Sequence, residues 1–389
     1  MNFLLAVVLA LSIDTDGMIK INGQRTFMLG LYDFAKTSDP KTSDQWKDAR
    51  DAGFNLVHTN ATATDLQKAA QHGLYAWTGV GALNGTNEAA IRKTVETLRN
   101  EQALILWETE DEPTFVWKKP LEIRTPAERI IATRKLVQSL DPKRLFYLNQ
   151  SPTNLVSTLR KYNEGTDVVA TDVYPVIPRG LRNQYALWPD GQQGDFLNES
   201  ISQVGQYMDK MRQVSGPSKP VFMVLQGFAW ESIQKEPDPK MMLYPTKEQG
   251  RFMAYQSIVH GANGILYWGL HLGPANNPAW QTARAVASEL KQIPGEIAAR
   301  PLPAKLALEY FDTGHSLDRG IAYTVRPSKD SVLVIAVNED KNPVDVAISG
   351  LSEYKSCQVE FGTQTATLRN GVLRHLFEPF GARVFRCRR

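Results

Sequence analysis

The sequence predicts a (β/α)8 TIM barrel followed by a small C-terminal antiparallel β-sandwich, and three observations carry that prediction. Eight short runs rich in β-branched and aromatic residues alternate with longer amphipathic stretches, the rhythm of βα units around a parallel sheet. No glycine-rich phosphate-binding turn follows the first run, which argues against an open doubly wound sheet. Beyond Pro303 the helical period gives way to strict alternation, as expected of antiparallel strands with one buried face. A chain of 389 residues accommodates one barrel of about 250 residues and a small second domain. The expected division is a barrel over residues 20–300 and a β domain over 304–389.

Residues 1–19 begin "MNFLLAVVLALSIDTDG", whose apolar run of about ten residues is too short to span a bilayer. It reads either as a secretory segment, with Ala10-Leu11-Ser12 close to a small-x-small cleavage site but no Lys or Arg ahead of it, or as an N-terminal strand. A secreted or periplasmic protein is the expectation. Export would let Cys357 and Cys387, the only cysteines, form a disulfide, and two buried thiols are the alternative. The composition, 42% hydrophobic and 22% charged with a net charge of +3 and no long basic run, is that of a soluble globular protein. Neither nucleic acid nor membrane is an expected partner, and the oligomeric state is open.

The eight runs are "TFMLGLYDF" (26–34), "GFNLVHTN" (53–60), "GLYAWTGVG" (73–81), "ALILWETEDEP" (103–113), "RLFYLNQS" (144–151), "DVVATDVYP" (167–175), "PVFMVLQGF" (220–228) and "GILYWGLH" (264–271). Between them lie helical signals such as "NEAAIRKTVETLRN" and "TPAERIIATRKLVQSLDP". Thr246 and Gln249 in "TKEQGRFMAYQSIVHG" form a capping box that satisfies orphan backbone donors at a helix start. "NPAWQTARAVASELKQIPGEIAA" reads as the closing helix and Pro301-Leu302-Pro303 as a linker. The alternating segments that follow include an Asn-Gly turn at 370–371, a hairpin signal.

In such a barrel the chemistry stands at the C-terminal ends of the strands. Those ends supply Asp33, His58 and Asn60, Trp77, Glu110 to Glu112, Asn149 and Gln150, Asp172 and Tyr174, Gln226, and Trp268 and His271. Carboxylates, amides and aromatics suit a sugar ligand, because aromatic faces stack on sugar C–H groups while amides and acids bind hydroxyls. No cofactor is expected. The six histidines form no His-x-His or His-Glu-x-x-His pair, so no metal site is expected. A Gly-x-Ser-x-Gly elbow is missing and neither cysteine lies in the barrel, which removes serine and thiol nucleophiles.

The stretch "WETEDEP" at the fourth run resembles the Asn-Glu-Pro signature of clan A (β/α)8-barrel glycoside hydrolases. The resemblance covers most of residues 20–300 and implies a glycosidase whose general acid is Glu112. It also implies that Trp268 floors the sugar site and that the seventh run is the nucleophile strand. Two departures follow. Asp111 stands where the family has Asn, and Gln226 stands where it has a glutamate nucleophile; a glutamine cannot form the glycosyl ester of double displacement.

Like charge and desolvation together are expected to keep Glu112 protonated as a general acid. Asp172 is the preferred second carboxylate, acting as a base on water; that makes the enzyme inverting and calls for carboxyl groups about 6.5–9.5 Å apart. Glu231, Asp33 and Glu110 are in reserve. Glu108 is expected merely to pair with Lys118, Lys119 or Arg124. Asp111, Gln226, Trp268, Tyr174, Asp33, His58, Asn149, Glu110, Trp230 and Trp188 are the expected substrate-binding residues, with Tyr185 and Trp188 either stacking on sugar or pinning the long sixth loop. Arg179 and Arg182 serve uronic acids or are plain surface; a neutral oligo- or polysaccharide is the default substrate. The competing class is a sugar-binding pseudo-glycosidase that lacks the nucleophile.

Overall fold

The computed structural model describes residues 9–34, 44–116, 119, 122–178, 198, 200–272, 277–311 and 319–389. Three short strands, β1 (Leu11–Ile13), β2 (Ile19–Ile21) and β3 (Gln24–Thr26), pair antiparallel into a small sheet. The alternation that follows begins β4 (Met28–Leu31), α1 (Gln45–Ala52), β5 (Leu56–His58), α2 (Ala63–Gln71), β6 (Tyr75–Gly79), α3 (Glu88–Leu98) and β7 (Leu104–Asp111). It continues α4 (Ala127–Leu140), β8 (Leu145–Gln150), α5 (Val156–Arg160), β9 (Val168–Val173), α6 (Gln203–Ser215) and β10 (Val221–Gln226). It closes with α7 (Lys247–Val259), β11 (Gly264–Trp268), α8 (Pro278–Leu290) and α9 (Pro294–Ala298). Strands β4 to β11 pair in parallel and in sequence order, and β11 returns to β4 to close the barrel. All eight expected runs are barrel strands.

Alternation decides what each strand offers the barrel interior. Met28, Leu56, Leu106, Tyr147, Ala170, Phe222, Val224 and Leu266 belong to one buried cluster, and the next position but one on several of these strands is His58, Glu108, Asn149, Asp172, Gln226 or Trp268. The interior is therefore apolar in the middle and polar at its C-terminal mouth. Ile19 and Ile21 of β2 join the same cluster, so the N-terminal sheet plugs the other end. Asn263 donates to the Asp16 carbonyl there at 3.3 Å. Thr246 and Gln249 make the expected capping box on α7.

The C-terminal strands are β12 (Ala307–Phe311), β13 (Ile321–Ser328), β14 (Ser331–Asn338), β15 (Val344–Ser349), β16 (Ser356–Glu360), β17 (Thr367–Arg369), β18 (Val372–Phe377) and β19 (Ala382–Arg388). They form two antiparallel sheets, β12-β15-β18-β17 and β13-β14-β19-β16. Leu333, Ile335 and Val337 of β14 pack with the barrel helices, while Val332, Val334 and Ala336 face the second sheet through Val346, Ile348 and Phe377. Period-2 alternation thus divides one strand between two cores. Asn370 and Gly371 both take positive φ (49° and 74°), the geometry of the hairpin turn read from the sequence. Cys357 and Cys387 lie opposite each other on β16 and β19 and form a disulfide. Among the described residues no helix is long and apolar enough to cross a membrane.

Candidate active site

The acidic end of β7 is built by an irregularity in strand pairing. Glu108 faces Tyr147 and Asp111 faces Asn149 across β8, so a step of three residues on β7 is matched by two on β8. This is a β-bulge, which re-aims side chains. In a regular strand Glu108 and Glu110 would share the inner face; here Glu108 and Asp111 do. Glu110, expected at the sugar, instead accepts a hydrogen bond from Thr125 Oγ1 at 3.3 Å in the loop before α4. The next residue, Glu112, adopts a left-handed backbone (φ 43°), which costs a non-glycine residue roughly 1–2 kcal/mol. Its N–H donates to the Asn149 carbonyl at 3.0 Å, and Arg124 donates to its carbonyl at 2.8 Å and to that of Asp111.

These constraints bring Asp111, Glu112 and Asp172 together. Asn149 Nδ2 donates to Asp111 at 3.0 Å and to Asp172 at 2.9 Å, and the Glu112 and Asp172 carboxyl groups are near enough to act on each other's protonation. Neighbouring carboxyl groups resist ionising together. Burial, then the neighbouring Asp172 and Asp111 charges, push Glu112 well above the usual carboxylate range. Burial and the Asp111 charge push Asp172 up to about 7, against the hydrogen bonds from Asn149 and Glu112. Asp111, open to solvent on one side, is also raised by the protein packed around its carboxyl, while the Asn149 hydrogen bond and the Arg124 charge oppose the rise.

Beneath this trio lies a floor that the sequence reading missed. Glu108 is 6% exposed and accepts from the Trp77 indole N–H at 3.1 Å; its oxygen is 3.6 Å from His58 Nε2. Burial, then the Asp111 charge, raise it well above the carboxylate range. The expected surface pairing with Lys118, Lys119 or Arg124 is not what it does, because its place on the inner face buries it. The Tyr32 and Tyr147 hydroxyls meet at 2.6 Å in the same layer. A period-2 count from Leu106 puts Glu108 on the inner face, and that signal was there to be read. Asp33, also left-handed (φ 48°), lies 3.5 Å from His58 and 3.8 Å from His271. With His58, Asn60 and Gly79 it lines a pocket of about 230 Å3.

The opposite wall is aromatic. Tyr174 and Trp268 stack with centroids 5.6 Å apart, and Phe228 meets Trp268 edge-on at 4.9 Å. Trp230, expected at the sugar, donates its indole N–H to the Tyr174 carbonyl at 3.1 Å and buttresses this wall. Gln226 was expected to bind sugar or position a water. Its Oε1 accepts from Val176 N–H at 2.9 Å, and its Nε2 donates to the carbonyls of Val176 (2.9 Å) and Phe228 (3.0 Å). The buried amide clamps the loop after β9 to β10 and has no hydrogen left for a ligand. Trp188, Tyr185, Arg179 and Arg182 lie outside the described residues. Among the described residues no three His, Cys, Asp or Glu side chains are grouped to hold a metal ion.

No protein-family model matches this chain, and no curated protein matches its sequence. Solved structures do match its fold. An α-amylase from Geobacillus thermoleovorans, complexed with acarbose, superposes with a TM-score of 0.62 at 10% identity over 94% of this chain and all of that one. A glycoside hydrolase family 5 protein from Bacteroides vulgatus gives 0.60 at 15% identity over 98% and 94%. A family 30 subfamily 8 xylanase from Clostridium acetobutylicum gives 0.52 at 11% identity over 94% and 96%. The chain therefore has a fold that glycoside hydrolases use, a barrel with an appended β-sandwich.

Proposed function

We propose that this protein is a glycoside hydrolase acting on an oligo- or polysaccharide, with Glu112 as the general acid. The observation that carries the reading is the cluster of Asp111, Glu112 and Asp172 at the C-terminal mouth of the barrel, in which Asn149 Nδ2 ties Asp111 to Asp172 and burial raises Glu112. A carboxyl group kept protonated near neutral pH can give its proton to a glycosidic oxygen as the bond breaks. Asp172 is the second carboxylate of the site. Tyr174 and Trp268 offer a ring face for the sugar, and Asp111, Asn149, His58 and Asp33 offer hydrogen-bonding groups for its hydroxyls. The disulfide between Cys357 and Cys387 favours an exported protein; Leu11 and Ser12 belong to β1, so processing would fall upstream of Leu11.

The test is release of sugar across a panel of polysaccharides and aryl glycosides, in the parent and in Glu112→Gln. Hydrolysis that the substitution removes supports the proposal. A second reading draws on one observation, the fully bonded Gln226 in the nucleophile's place: a protein that binds glycans without cleaving them. Binding with no turnover on the whole panel would favour it.

A further inference from the structure

The acids at the barrel mouth lack a counter-charge of their own. Glu108, Asp111, Glu112 and Asp172 lie on or just after β7 and β9, and among the described residues no Lys or Arg side chain forms an ion pair with any of them. Arg124 spends its hydrogen bonds on the Asp111 and Glu112 carbonyls, and His58 stands 3.6 Å from Glu108. Like charges crowded in a buried place cost free energy until an opposite charge arrives. Asn149 supplies a second, independent observation. Its side chain stands between Asp111 and Asp172 and is 4% exposed. Both Nδ2 hydrogens are spent on these two carboxylates, whereas Oδ1 is buried with no hydrogen-bond partner among the described residues. Turning the amide over would set Oδ1 against two carboxylates, so its orientation is fixed. A buried acceptor without a donor is costly. What Asp111, Asn149 and Asp172 leave for a ligand is therefore acceptors and negative charge.

We infer, resting on the glycosidase reading above, that the substrate is a glycoside of an amino sugar whose free amine, carried as an ammonium on C2, is held by Asp111 and Asn149 Oδ1 beside Asp172. An ammonium brings three donors, no acceptor and one positive charge, so it answers both the unmet acceptor and the unmet charge. A hydroxyl answers only the first. An acylated amine offers one N–H and no charge, and a uronic acid would add another carboxylate to the cluster. A metal ion fits less well, because among the described residues no three His, Cys, Asp or Glu side chains are grouped to hold one. The place of the amine follows from the acid. Glu112 must reach the oxygen on C1, Asp111 is its neighbour in the chain, and the substituent beside C1 that can carry an amine is the one on C2. The bound cation also suits the chemistry: it favours the ionised forms of Asp111 and Asp172, which leaves the proton of the cluster on Glu112 for the leaving oxygen.

The experiment uses the full-length protein and the p-nitrophenyl glycosides of 2-amino-2-deoxyglucose and 2-amino-2-deoxygalactose, in both anomers, against the matching 2-hydroxy and 2-acetamido glycosides at pH 6. Binding of the same compounds to Glu112→Gln, read by calorimetry, separates affinity from turnover. The expected result is that an amino sugar is bound and hydrolysed in preference to both counterparts, by about 10- to 10²-fold, the scale of a hydrogen bond between charged groups. Asp111→Asn should weaken binding of the amino sugar at least about tenfold more than binding of the 2-hydroxy sugar; an equal loss on both would make Asp111 a structural residue and overturn the assignment. Hydrolysis of 2-hydroxy or 2-acetamido glycosides as fast as or faster than amino glycosides would overturn the ammonium site while leaving a glycosidase. Preferential binding of the amino sugars with no turnover in the parent would keep the ammonium site and overturn the glycosidase, and neither binding nor hydrolysis of any glycoside would overturn both.

Discussion

At Glu112 and Asp172 the raised proton affinity that the proposed chemistry calls for works against stability. Both carboxyl groups are raised above their unfolded values, so between about pH 4 and 7 the folded chain holds more protons than the unfolded one and its stability falls as pH rises. Glu112→Gln and Asp172→Asn should therefore each raise the melting temperature at pH 7–8 and flatten its decline above pH 4. Activity should fall by about 10²–10⁴, the usual worth of a general acid; a variant that keeps its rate would show that its carboxyl is not the one that reacts. Gln226 makes the opposite case. Gln226→Glu would set a carboxylate against the Val176 and Phe228 carbonyls that the amide now serves. Each buried group left unpaired costs about 1–3 kcal/mol, so the variant should lose stability in urea melts and gain no double-displacement activity.

The elements were legible in proportion to how local their causes are. Period 2 marks β4 to β11 because each strand's own residues set its burial. The capping box at Thr246 and the Asn370-Gly371 turn could be read for the same reason. The bulge in β7 could not, because an extra residue exists only relative to β8, and no count along "WETEDEP" reveals it. That one irregularity decided which acids face inward, which is why Asp111 belongs to the mouth and Glu110 does not. The clamp at Gln226 was hidden on similar grounds: two of its three hydrogen bonds go to the backbone of Val176, fifty residues away in sequence. Arg124 fixes the end of β7 through the Asp111 and Glu112 carbonyls, and its charge lowers the pKa values of both acids. Arg124→Ala should thus shift the alkaline limb of the pH–activity profile upward while reducing the rate. An unmoved limb would mean that the guanidinium acts on the backbone alone.

Across the whole molecule the barrel and sandwich share a charged seam. His260, at the end of α7, binds Asp209 and Glu339 at 2.9 Å each. Burial opposes its charge, but these two hydrogen bonds outweigh it and lift the imidazole to about 9. Its contribution is complete below the unfolded value of about 6.5 and is lost as pH rises to about 9. His260→Gln should remove that slope from unfolding curves taken between pH 6 and 9. Within the sandwich, the disulfide closes a loop of 30 residues, worth about 3–4 kcal/mol by chain entropy, so reduction should melt the C-terminal strands first in hydrogen exchange. The sheet that plugs the barrel carries a consequence for timing. Arg25 beside β2 donates to the Ala298 carbonyl at 2.7 Å, and Arg300 reaches Thr15, across separations of 273 and 285 residues. At a synthesis rate of about 5–20 residues per second, β1 to β3 leave the ribosome tens of seconds before their seat exists, so this sheet must be among the last elements to settle.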